Sequence, residues 1–232
     1  MSCTDCGRKG GCETRKQSMF AELDETLARL YPTRCWSERD DGAAFGWGIE
    51  GGEGEALARA LAGPLRAATT YIAGTPEETC DYVYVLCLGR PPSLVDLREG
   101  RLTEAEAEEA RAAVAAGPVE ELYLRVALSS LARVAAVQEV RVSAEAQGGT
   151  LSIIEAPRAG VFDPILLPRM RQLVAALREH HLRHLDFGEI VEPPAGFDPG
   201  DYADEWGRPP AIANYLFYPQ APATVTTATL GT

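Results

Sequence analysis

The sequence predicts an α+β fold: a ferredoxin-like domain with the split element order β-α-β-β-α-β, preceded by a small helical, cysteine-rich metal-binding module. Three observations carry this. Runs rich in aromatic and β-branched residues over 82–88, 137–144, 151–156 and 187–191 read as strands. Between them, apolar residues recur at three- and four-residue intervals, the helical period. Four of the six cysteines fall within the first 35 residues.

Residues 1–14, rich in Gly and Cys, read as a loop. Thr14 and Gln17 have capping-box spacing and open a helix over 15–31, whose apolar face is Phe20, Leu23, Leu27 and Leu30. Pro32 stops it, and Cys35 follows. A glycine-rich loop over 36–54 carries Trp36, Phe45 and Trp47, and a second helix spans 55–72 with Gly63-Pro64 as a kink or break. These elements form a module over residues 1–76.

The ferredoxin-like domain follows over 77–192. Residues 82–88 read as a buried strand, or as a helix opened by Thr75-Pro76-Glu77-Glu78 and ended by Gly89. Thr103 and Glu106 open a helix that pauses at Gly117-Pro118 and resumes to about Ala135. Strands over 137–144 and 151–156 flank a turn at Gln147-Gly148-Gly149. Asp163-Pro164 starts a helix to His184, with Leu166, Met170, Leu173 and Leu177 on one face, and a last strand covers 187–191. Residues 193–232 carry Pro193, Pro194, Pro199, Pro209, Pro210, Pro219 and Pro222 together with Trp206, Tyr215, Phe217 and Tyr218, and read as an extended arm.

Composition bounds the function. A chain of 232 residues, 46% apolar and 24% charged, has the balance of a folded protein with a core of useful size. The net charge of −12 argues against nucleic acid or an anionic membrane as partner, since both demand a basic face. There is no apolar run long enough to cross a bilayer and no apolar leader at the N-terminus, so the expectation is a cytoplasmic protein without membrane insertion. Charge is uneven. Arg8, Lys9, Arg15 and Lys16 outnumber Asp5 and Glu13 in the first 16 residues, and Lys9 and Lys16 are the only lysines.

The N-terminal run places Cys3, Cys6 and Cys12 within ten residues, with Cys35 beyond the first helix. Clustered thiols in a chain without an export leader favour metal over disulfides. Thiolates are soft ligands that suit iron–sulfur clusters and zinc. Zinc sites of the Cys-x2-Cys kind bring a second pair or two histidines, and neither accompanies this run. Three close cysteines and one remote one suit an iron–sulfur cluster. Gly7, Gly10 and Gly11 would let backbone amides approach it, and the four basic residues would offset its negative charge. Cys35 reaches the others only if residues 1–14 run back along the first helix.

Other residues carry weaker signals. Cys80 and Cys87, seven apart, would face opposite sides of a strand and read as small core residues. His180 and His184 share a helix face at i, i+4, a chelating spacing, but with His181 they read as a solvated helix end. Asp40, Asp41, Asp81, Glu155 and Asp186 read as surface charge with no pairing among them. The glycines over 46–54 lack the Gly-Lys-Ser/Thr ending of a phosphate loop.

The leading expectation is a non-catalytic iron–sulfur protein, held together at Cys3, Cys6, Cys12 and Cys35. It would act as an electron carrier or as an accessory subunit of a redox enzyme, with another protein as partner. The alternative is a zinc-stabilised protein-interaction module on the same cysteines. A third reading, a small-molecule enzyme on the sheet, lacks any convergent acid, base or nucleophile pattern.

Overall fold

The computed structural model describes residues 22–40, 52–74, 79–147, 150–158, 160–161, 163–186, 190–217 and 227–230. Among these residues the fold is α+β, built on a seven-stranded sheet. Six strands follow one another in antiparallel pairs: β1 (Thr69–Ile72), β2 (Cys80–Leu88), β3 (Val119–Ser129), β4 (Val134–Gln147), β5 (Thr150–Arg158) and β7 (Thr227–Leu230). The remaining strand, β6 (Arg183–Asp186), lies parallel to the first four residues of β4.

The helices are α1 (22–30), α2 (Glu53–Leu65), α3 (Leu94–Arg98), α4 (Glu104–Ala116), α5 (Leu167–Glu179), α6 (Tyr202–Trp206) and α7 (Ile212–Leu216). Six of them, all but α6, divide between the two sheet faces. Leu57, Leu61 and Leu65 of α2 and Leu173 and Leu177 of α5 pack on Val83, Val85, Leu124 and Val126. On the opposite face, Leu23, Leu27 and Leu30 of α1, Val95 of α3, Val114 of α4 and Leu216 of α7 cover Tyr82, Tyr123, Ala136 and Val140. That second cluster draws buried residues from all three segments expected to be separate, 1–76, 77–192 and 193–232. Burial on both faces also explains why β2 shows no alternation: Cys80 through Cys87 are all buried.

Several expectations hold. The α1 face is the one anticipated over its described part, the run over 82–88 is a strand, and the Thr103–Glu106 capping box is present in both directions. Gln147 pairs with Thr150 across the anticipated hairpin, and its turn residues 148 and 149 lie outside the described set.

Five expectations are corrected. The helix from Thr103 does not resume after Gly117-Pro118, because Val119–Ser129 is the strand β3, hydrogen-bonded to β2 and β4. With both faces covered, its apolar run has no strand period to read. The element order over 80–186 is therefore β-α-α-β-β-β-α-β, and β2 runs antiparallel to β3, which departs from the ferredoxin-like β-α-β-β-α-β. The helix over 55–72 ends at Leu65, and Thr69–Ile72 forms β1. The helix over 163–184 ends at Glu179, and Arg183–Asp186 forms the strand β6, whereas residues 187–189 of the strand expected over 187–191 lie outside the described residues. The arm is not extended over 202–216. It carries α6 and α7, and it places Tyr215, Leu216 and Phe217 in the core.

Candidate functional site

Of the four cysteines assigned to the metal centre, Cys35 is described, whereas Cys3, Cys6 and Cys12 lie outside the described residues. Cys35 follows the turn that closes α1, where Arg34 takes a left-handed φ of 56°, a conformation rare for residues with a side chain. The strand-like segment around it is tied to residues 195–200 by a parallel bridge between Cys35 and Asp198. Asp198 N donates to Arg34 O at 2.7 Å, and Trp36 N donates to Asp198 O at 3.0 Å. Asp40 N returns to Leu30 O at 2.7 Å, anchoring the far side of the loop to α1.

The thiol is free and half-buried, with its Sγ 3.3 Å from Ser37 Oγ. Gly200, at φ +53°, passes beside it, and a Cβ there would stand 3.6 Å from the sulfur. Behind the loop stands an aromatic wall. Trp36 meets Tyr202 and Tyr215 edge-on with ring centres 4.8 and 4.9 Å apart, and Tyr215 meets Tyr31 at 4.9 Å and Phe197 at 5.3 Å. The Tyr31 hydroxyl donates to Tyr215 O at 3.0 Å. Burial pushes the Tyr215 phenol up, and the nearby Tyr31, Cys35 and Asp198 add to the shift. A backbone held this way presents the Cys35 sulfur from a fixed position. Among the described residues, no group of three or more His, Cys, Asp or Glu converges as a metal site.

The other sequence candidates resolve individually. Cys80 and Cys87 are buried on opposite faces of the sheet, and burial pushes the Cys87 thiol up against the opposing charge of Arg169. His180 and His184 do not share a helix. His180 caps α5, His181 is left-handed at φ 59°, and His184 lies in β6. The His184 Nε2 is buried without a hydrogen-bond partner, and burial holds the imidazole below its ordinary value. Asp40 and Asp186 are exposed, and Asp41 lies outside the described residues.

Asp81 and Glu155 are corrections, because both are buried. Asp81 accepts from Tyr71 Oη at 2.7 Å and from Gly74 N at 2.8 Å, tying β1 and its exit to β2. Glu155 sits between two guanidiniums. Arg125 Nη1 reaches its Oε1 at 2.6 Å, Arg98 Nη1 pairs with its Oε2, and Tyr84 Oη stands 3.1 Å from Oε1. Tyr84, Arg125 and Gln138 are register partners in one row across β2, β3 and β4, and Arg125 Nε donates to Gln138 Oε1 at 3.0 Å. Arg98 is further paired with Glu99 at 2.8 Å. Burial pushes the Tyr84 phenol up, with the Arg125 charge opposing it.

Sequence reading missed Arg98, Arg125, Gln138 and Tyr84 as a group. The available signal was Arg125 alone within the apolar run Leu122–Leu128. In this network the carboxylate and both guanidiniums meet protein partners, so its chemistry is to lock four strands and α3 together.

No family model, curated protein or solved structure matches the chain.

Proposed function

We propose that this chain is an iron–sulfur protein in which Cys3, Cys6, Cys12 and Cys35 hold one cluster, and that it carries electrons or serves as an accessory subunit of a larger redox assembly. The observation that supports it is the thiol set: three cysteines within ten residues, and a fourth, Cys35, that is free and accessible on a loop fixed by backbone hydrogen bonds. Soft thiolates fit such a cluster. When bound, the group would supply one-electron chemistry. The protein's share is to fix Cys35, to shield one side with Trp36, Tyr31 and Tyr215, and to offer Arg8, Lys9, Arg15 and Lys16 to an acidic partner. Among the described residues, no helix is long and apolar enough to cross a membrane.

Purification without oxygen, followed by iron, zinc and sulfide analysis, tests the reading. Iron with acid-labile sulfide in similar amounts is expected. About one zinc per chain without iron would instead favour a zinc-stabilised interaction module, for which Cys3-Thr4-Asp5-Cys6-Gly7 is the supporting pattern.

A further inference from the structure

The geometry points to a small-molecule site between α1 and residues 194–195, one that takes a neutral, mostly apolar molecule carrying a hydrogen-bond acceptor. The site stands independently of any metal. Its cavity of about 460 Å³ is lined by Leu23, Asp24, Leu27, Arg34, Pro194, Ala195 and Ile212. Leu23 and Leu27 stand one turn apart on α1, Ile212 opens α7, and Pro194 and Ala195 complete the lining, so the walls are mostly apolar. Pockets of a few hundred Å³ with apolar walls and a few fixed polar groups are the usual shape of small-molecule sites.

Charge and donors narrow the ligand class. The two ionic lining groups neutralise each other, since Arg34 Nη2 lies 3.0 Å from Asp24 Oδ2. An ionic head group would therefore meet no net counter-charge. Arg34 is nevertheless pre-set as a donor. Nη1 donates to Ala195 O at 3.4 Å, the guanidinium lies 5.3 Å from the centre of the Phe197 ring, and the backbone is fixed at φ 56°. A guanidinium has five N–H groups, more than these two contacts use. A carbonyl or ether oxygen on the ligand would complete the set at little ordering cost.

The test uses the full chain and two fluorescent probes of similar size, the neutral naphthyl ketone prodan and the anionic anilinonaphthalenesulfonate. Saturable one-to-one binding of prodan, tighter than that of the anion, is expected. Ala195 is exposed, so Ala195→Phe fills the cavity without disturbing the core, and it should abolish the saturable binding. Arg34→Gln should weaken it by about tenfold, the usual worth of a hydrogen bond from a charged donor. Absence of saturable prodan binding, or an unchanged affinity in Ala195→Phe, overturns the site. Tighter binding of the anion than of prodan overturns the neutral class.

Discussion

Arg125 Nη1 lies 2.6 Å from Glu155 Oε1, joining β3 to β5 although β4 separates them in the sheet. Both side chains are about nine-tenths buried, at 11% and 8% exposure, so the pair is poorly screened. Glu155→Gln would leave two buried guanidiniums short of their shared carboxylate. Breaking a buried pair from one side costs about 3–5 kcal/mol, and a loss in that range is expected in urea unfolding. Arg125→Met should cost less, because Glu155 keeps Arg98.

Two helix ends make a second prediction. Arg66 and His181 are left-handed at φ 48° and 59°, at the positions where glycine usually ends a helix. Leu182 N donates to Leu177 O and Ala67 N to Ala62 O, closing each end. Both side chains are exposed. A side chain in this region costs roughly 1–2 kcal/mol, and glycine gives back about 0.5–1 in flexibility. His181→Gly and Arg66→Gly are each expected to raise unfolding stability by roughly 0.5–1 kcal/mol.

The same two residues show why part of the fold was hidden in the sequence. Without glycine at either end, both helices read too long, to residues 72 and 184, and β1 and β6 disappeared into them. Burial of both faces hid β3 in the same way, since a doubly covered strand lacks alternation. What was legible had a local cause: the α1 stripe, the Thr103–Glu106 box, and the β-branched and aromatic run of β2. Of the proposed cluster site, the cysteine spacing was readable, whereas the Cys35–Asp198 tie joins residues far apart in the chain. The Glu155 network was illegible for that reason too, since it joins α3, β2, β3, β4 and β5.

Glu121 gives a pH prediction. It is buried, its carboxylate accepts from Leu94 N at 2.8 Å, and Tyr123 Oη also donates to it. Burial holds the carboxyl above its ordinary value; these two hydrogen bonds oppose that, and the Asp96 charge adds to it. With the folded value raised, the stability from this site is complete below the ordinary value and is lost as pH rises through the raised one. Glu121→Gln removes the titration. Its stability relative to the unaltered protein should therefore climb from acid to neutral pH, by about 1.4 kcal/mol for each pH unit between the unfolded and folded pKa of Glu121. Urea unfolding of both proteins across that window checks it, and a flat difference would exclude the assignment.

The shared core gives another. Leu27 of α1 is 1% exposed and belongs to the same cluster as Tyr123, Val140 and Phe217. Leu27→Ala should cost about 2–5 kcal/mol and lower one common transition in scanning calorimetry. Two transitions, with only the smaller one moved, would show that residues 1–76 fold as a separate unit.

The proposed function rests on Cys35 completing a cluster held by Cys3, Cys6 and Cys12. Iron per chain in Cys35→Ser, set against Cys80→Ser and the unaltered protein under oxygen-free conditions, tests it most directly. Cys80 is buried in the core, so Cys80→Ser controls for the loss of a thiol in general. Full iron is expected in Cys80→Ser wherever that variant folds, and loss of most of it in Cys35→Ser with the circular dichroism spectrum retained. Equal iron in a folded Cys35→Ser, or no iron in the unaltered protein, would contradict it.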